Sequence, residues 1–334
     1  MKTNKYIIIL LFIFLLTGCN KRSKYTGEVN VLNWSSYIPD SVIKAFEGEY
    51  NVKVNYGTYS SNEELLAKIT SSKKGTYDVI FPSDYMVELL RDRGYLQKLD
   101  RTRLKNLDNI NNLFLNQNYD LYNDYSLPFL STIVVIAVNR EHIKDSINSY
   151  NDLLNSTYYN NIVMIDDQRI VIGMALLALG YDMSDIDDKA LLEAKNWLLK
   201  LKNNIKAYDS DSPKTFFITD EADIGIMWNA EAELARLYNP QIEIVDVMEG
   251  HAISTDNYAI VDGAHNIDNA YLFIDYLLRN DVSDSITREY PYVSPNKIKQ
   301  NSIIKPEKIF DNGYYVKNIG SSISKYDKLW ADIK

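Results

Sequence analysis

From Glu28 onward, short β-branched runs alternate with stretches of helical periodicity, and that alternation predicts an α/β fold with largely parallel strands. Val29 to Asn33 reads as the first strand. Val42, Ile43 and Phe46 then share one face of a helix, and Val52, Val54 and Tyr56 alternate as the next strand. Ser61 or Asn62 caps a second helix. Its first turn carries Glu63 and Glu64, where the helix dipole favours acids, and Leu65, Leu66 and Ile69 turn inward. Tyr77 to Pro82 gives a third strand, and the helix of Met86, Leu89 and Leu90 closes at Gly94, a left-handed C-cap.

A second set of elements opens with the β-branched run Thr132 to Asn139 and continues through strands at Ile162 to Ile165, Ile205 to Tyr208, Ile224 to Trp228 and Ile242 to Val247. Between them, Lys189 to Asn203 is the clearest amphipathic helix. Ala259 to Val261 reads as a short strand and His265 to Leu278 as a strong helix. No internal repeat, low-complexity tract or Pro/Gly-rich linker separates the two sets, so two lobes joined by short crossings fit better than independent beads.

The pattern ahead of Glu28 is different. Lys2 and Lys5 precede the unbroken apolar run Tyr6 to Leu16, too short for the roughly 20 residues of a membrane-spanning helix and suited to a signal peptide. The run ends in Leu16-Thr17-Gly18-Cys19, which resembles the lipobox of bacterial lipoproteins, with Cys19 as the lipidated new N-terminus. Cys19 is the only cysteine of the 334 residues, so an internal disulfide or a cysteine-built zinc cluster is excluded. Residues 1–18 then form the signal peptide and 19–27 a lipidated tether to the membrane. Cleavage removes two lysines and no acid, shifting the formal charge from -9 to -11. A body this acidic disfavours nucleic acid and favours cationic or neutral partners.

Catalytic signatures are missing: there is no G-x-S-x-G, H-E-x-x-H, Walker A or G-x-G-x-x-G motif. His142, His251 and His265 are not at metal-ligand spacing and read as surface or capping residues. What recurs is a polar or aromatic residue just after a strand: Trp34, Ser35 and Tyr37, then Ser83, Asp84 and Tyr85, then Asp166 and Asp167, Trp228 and Asp256. In open parallel sheets such positions converge on one crevice at the carboxyl ends of the strands. Rings and carboxylates together suit an organic cation, because aromatic faces attract ammonium groups and carboxylates accept charge-assisted hydrogen bonds. Taken singly, Trp34 and Trp228 are as well explained as core residues, Ser83 and Asp167 as helix N-caps, and Asp256 as a turn residue.

Taken together with Val31 to Pro39, Ser61 to Glu63, Tyr77 to Met86, Tyr125 to Pro128, Met174 to Leu176, Leu179 to Tyr181, Gly225 to Asn229 and Ser294 to Asn296, the sequence from Glu28 to Lys334 resembles the spermidine/putrescine-binding proteins of ABC importers. The resemblance implies a type II periplasmic-binding-protein fold of mixed, mostly parallel sheets flanked by helices. Its first lobe would comprise 28–131 and 256–300, and its second 132–255 and 301–334. It also implies a periplasmic or extracytoplasmic receptor, without catalysis, cofactor or metal, that acts as a monomer and delivers polyamine to a permease and ATPase. Carried over position by position, Trp34, Ser35, Tyr37, Ser83, Tyr85, Asp167, Trp228, Asp256 and Tyr292 match the family's ligand-binding residues, with Tyr290 an alternative to Tyr292.

Three positions depart from the family pattern: Ile170 stands for a glutamate, Ser254 for a tryptophan and Val316 for a glutamine. Losing a carboxylate, an aromatic wall and an amide implies weaker binding of spermidine and a preference for putrescine or another amine, unless Asp84, Asp209 or a residue near Ser36 replaces the charge. Two rival readings keep the fold. One is a host-interaction or adhesin lipoprotein that has lost transport. The other is a ferric-ion receptor using paired tyrosines such as Tyr158-Tyr159 or Tyr314-Tyr315.

Overall fold

The computed structural model describes residues 25–35 and 37–334, so Cys19, the signal segment and Ser36 lie outside the described residues. The chain opens with β1 (Gly27–Trp34), α1 (Asp40–Tyr50), β2 (Val52–Tyr59), α2 (Asn62–Ser71), β3 (Val79–Ile80) and α3 (Asp84–Asp92). The long β4 (Ser126–Asn139) leads to β5 (Ile162–Met164), α4 (Gln168–Ala178), α5 (Asp188–Leu201), β6 (Ile205–Tyr208), α6 (Lys214–Ile218), β7 (Ile224–Trp228), α7 (Asn229–Tyr238) and β8 (Ile242–Val245). A second long strand, β9 (His251–Ile260), returns to α8 (Ile267–Leu277) and α9 (Asn280–Glu289), before α10 (Pro306–Phe310), β10 (Gly313–Tyr315) and α11 (Ile323–Ile333).

The strands run in the order β2-β1-β3-β9-β4-β7-β5-β6, with β10 on β9 and β8 on β4. Parallel pairing holds within each strand-helix-strand series, β1 with β2 and β3, β5 with β6 and β7. It gives way to antiparallel pairing along the two long strands, which join the halves, apart from β10, which lies parallel to β9. From Ser126 to Ile133, β4 pairs with β9; from Val134 to Val138 it pairs with β7. The crossing lies where Ser131 faces Thr255, their hydroxyls 2.9 Å apart.

One buried cluster runs across both halves, from Leu65, Ile80 and Met86 to Ile162 and Ile226. Val29, Val31, Phe46, Phe81, Phe273 and Ile274 pack on one side of the crossing, and Ile162, Met164, Leu176, Trp197, Leu198 and Ile226 on the other. Fully burying each such side chain stabilises the fold by about 1.5 to 3 kcal/mol. The helix signals act as expected: Ser61 Oγ accepts the Glu64 N–H at 3.1 Å, and Gly94 sits at φ 74° just beyond α3.

Both long strands extend beyond their sequence signal. The run expected at Thr132 begins at Ser126, and that expected at Ala259 is the end of a strand starting at His251. All of β4 and nearly all of β9 are buried, so neither shows the alternation of a half-exposed strand. Conversely, Tyr77 to Pro82 keeps only Val79 and Ile80 as strand. His251 is buried in β9, its ring Nε2 3.2 Å from the Ile309 carbonyl oxygen, and is neither a surface nor a capping residue.

Candidate binding cleft

The nine residues singled out from sequence all line one cavity of about 330 Å³ between the two halves. Trp34 ends β1, and its indole N–H donates to the Phe81 carbonyl at 3.0 Å, fixing the ring at the cavity wall. Tyr59 lies against it at 4.6 Å between ring centroids. Tyr37 meets Tyr292 at 4.9 Å, so the loop after β1 and the loop after α9 close one end with rings. Burial pushes both phenols well above their ordinary pKa, holding them neutral and able to donate.

Asp256 lies inside β9, only 3% exposed, rather than in the turn that its sequence context suggested. Ser83, at the start of α3, spends its hydroxyl on Asp256 Oδ1 at 2.7 Å and not on capping its own helix. Asn62 orients that serine, its amide donating to Ser83 Oγ at 3.1 Å. Burial raises the Asp256 carboxyl to about 6, with the nearby donors Ser83, Tyr37 and Trp34 acting against the shift. Such a group ionises readily once a cation stands beside it.

Across the cavity, Asp167 both caps α4 and faces the gap. Its Oδ1 accepts the N–H groups of Arg169 at 2.8 Å and Ile170 at 3.1 Å, and no hydrogen bond engages Oδ2 among the described residues. Burial raises its carboxyl, opposed by those two backbone donors. Trp228 stands at the end of β7 and opens α7, presenting a ring from the second lobe. Ile170, Ser254 and Val316, the three departures, line the same space.

Five charged side chains on the wall escaped the sequence reading of the site, among them the exposed Asp211. Lys214 of α6 donates to both oxygens of Glu231 on α7, at 3.0 and 2.8 Å, a pair brought together by helix packing rather than by spacing along the chain. Glu63 accepts from the Tyr85 hydroxyl at 3.3 Å, and Arg169 lies over the Tyr85 ring at 4.4 Å. As replacements for the missing glutamate, neither suggested aspartate serves. Asp209 is turned onto the N–H groups of Asp211 and Ser212 and does not line the cavity. Asp84 lines it, but burial lifts its carboxyl to about 8 against the Tyr85 and Thr255 N–H bonds, so it is mostly protonated at neutral pH. The tyrosines proposed for iron, Tyr158, Tyr159, Tyr314 and Tyr315, do not line the cavity. Among the described residues, no group of three His, Cys, Asp or Glu side chains is placed to hold a metal ion.

Two α/β halves, a pair of crossing strands and a gap lined by acids and rings make up a two-lobed solute-binding protein. The chain belongs to the family of bacterial extracellular solute-binding proteins, whose family model matches residues 41–303. It is 33% identical over 314 residues to the spermidine/putrescine-binding periplasmic protein of Escherichia coli, covering 90% of both chains. Against the protein of the same name from Salmonella typhimurium it is 36% identical, covering 85% of this chain and 81% of that one. The crystal structure of the spermidine/putrescine ABC transporter substrate-binding protein of Streptococcus pneumoniae superposes with a TM-score of 0.79 at 27% identity, over 92% of this chain and 98% of that one. A lipoprotein of Treponema pallidum, 24% identical, shares the fold with a TM-score of 0.85 over 92% of this chain and 99% of that one.

Proposed function

We propose that this chain is the extracytoplasmic receptor of an ABC importer, capturing a short polyamine between its lobes and handing it to a permease and ATPase without chemical change. The observation that carries the reading is the convergence of two acids, Asp167 and Asp256, and the rings of Trp34, Tyr37, Trp228 and Tyr292 on one cavity, each wall drawn from a different stretch of chain. In water an ion pair at 4 Å gains only about 1 kcal/mol, so closure that excludes solvent is what makes such a site tight. The lobes are taken as 28–131 with 256–300 and 132–255 with 301–334, bending where Ser131 pairs with Thr255. Cys19 is taken as the lipid attachment that tethers a monomeric receptor to the membrane.

Charge balance favours a dication. Lys214 neutralises Glu231, Lys334 pairs with Asp166, Glu63 lies 3.9 Å from Arg169, and burial favours the neutral form of Asp84; besides the exposed Asp211, this leaves Asp167 and Asp256 as the cavity acids with no ion pair among the described residues. Putrescine carries two ammonium groups and spermidine three; the place where the family has a third acid holds Ile170, 3% exposed. Putrescine is therefore expected to bind more tightly than spermidine. Titration calorimetry of the purified protein with putrescine, spermidine, spermine and ferric citrate tests this. Near-equal tight binding of the first two contradicts the selectivity. Failure of every amine contradicts the receptor reading, and a visible absorbance band with iron would replace it. Intact-mass measurement of membrane-extracted protein tests the lipid on Cys19.

A further inference from the structure

Arg169 is an unusual occupant for a cavity that attracts cations. Its side chain is only 8% exposed and springs from the first turn of α4, in the second lobe. It reaches across the gap and lays its guanidinium over the ring of Tyr85, 4.4 Å from the centroid, in the first lobe. Its Nε is buried without a hydrogen-bond partner among the described residues and lies 3.9 Å from Glu63 Oε1, beyond hydrogen-bond length. The outer nitrogen makes one long bond of 3.4 Å to the Lys317 carbonyl. A buried donor without an acceptor, facing a carboxylate about 1 Å too far away, is satisfied by a small further approach of the two lobes.

The receiving side is arranged for that approach. Tyr85 donates its hydroxyl to the same Glu63 oxygen at 3.3 Å, so ring face and carboxylate are held together as one acceptor for a planar cation. The sending side is tied to the guest site, because Asp167 Oδ1 holds the backbone N–H of Arg169 itself. A guest drawn to the other oxygen of Asp167 thereby steadies the turn from which Arg169 projects.

We propose that Arg169 is the clasp of the cleft: a resident cation of the second lobe that seats on Tyr85 and Glu63 of the first as the walls approach, so that the protein's own guanidinium, beside the guest's ammonium groups, holds the closed form. The proposal rests on the reading of a cleft that closes on a cation, and goes beyond it by assigning the closing contact to a positioning residue that need not touch the guest.

The test uses Arg169→Gln, Arg169→Lys, Glu63→Gln and the Arg169→Gln/Glu63→Gln double variant, each first checked for wild-type circular dichroism. Small-angle scattering reads opening without amine, and stopped-flow tryptophan fluorescence, reported by Trp34 and Trp228, reads putrescine release. The clasp requires that Arg169→Gln and Glu63→Gln each enlarge the radius of gyration and speed putrescine release about tenfold. It also requires that the double variant be no faster than either single one, and that lysine restore only part of the loss, lacking the planar fork. Unchanged scattering and release in both single variants, or effects that multiply in the double variant, would overturn it. Should Arg169→Gln fail to fold, Glu63→Gln decides alone, since the Glu63 side chain is 54% exposed and tolerates the change. If wild-type protein binds no amine, the receptor reading falls, and the scattering comparison still decides the clasp.

Discussion

The two walls of the cleft are built on different principles. On the first lobe's side, Asp256 is locked by Ser83, which Asn62 locks in turn, and Trp34 is pinned to the Phe81 carbonyl. That wall is finished before a guest arrives. On the second lobe's side, among the described residues, Asp167 keeps one oxygen uncommitted and Arg169 has an unpartnered nitrogen, and apolar Ile170 and Val316 line the gap. A rigid wall supplies affinity through preorganisation, and a wall with open valences decides which guest is accepted and how firmly the lobes shut.

The largest expected effect comes from breaking the rigid wall. Asp256→Asn should weaken putrescine binding by about 2 to 5 kcal/mol in calorimetry, because an ammonium loses a buried charged partner. The same change should raise the melting temperature of the amine-free protein. Burial lifts Asp256 to about 6 in the folded state, above its unfolded value, so its ionised form costs stability at neutral pH. That cost, about 2 to 3 kcal/mol, fades as pH falls from about 6 to 4. A substitution that damages binding while strengthening the fold separates a site acid from a structural one.

Titrating the same acid is expected to have the next largest effect. Putrescine affinity should be steady above pH 6 and fall about tenfold for each unit below it, as the proton competes with the ammonium for Asp256. A profile flat down to pH 4.5 would assign the anchoring charge elsewhere. On the adaptable wall, Trp228→Ala should cost about 1 to 2 kcal/mol of amine affinity, the loss of one aromatic face. The smallest expected change sharpens selectivity: Ile170→Glu should improve spermidine binding by about 1 kcal/mol and leave putrescine nearly unchanged, by supplying the third amine with a charged acceptor. Equal gains for both amines would show that position 170 tunes general attraction and does not count amines.

What could be read from the sequence follows the same division. Rings and acids after strands pointed to a crevice, and Trp34, Tyr37, Asp167 and Trp228 meet there because the carboxyl ends of the strands do. Asp256 was assigned to the site for the wrong local reason. The strand around it, His251 to Ile260, is rich in polar residues that are buried and paired, so no hydrophobic alternation announces it. Glu63 passed as an ordinary first-turn acid, which it also is; nothing in α2 reveals that Tyr85 and Arg169 lie above it. Lys214 and Glu231 become partners only through the packing of α6 on α7. Residues that share a short motif were legible, whereas those that meet only in three dimensions were not.

The central claim is that one cation spans both walls. A crystal structure of the protein soaked with putrescine tests it most directly: one ammonium nitrogen is expected within hydrogen-bond distance of Asp256, the other at Asp167 Oδ2, with the methylenes between Trp34 and Trp228. An amine seated outside this cavity, or one inside it that touches neither aspartate, would contradict the account.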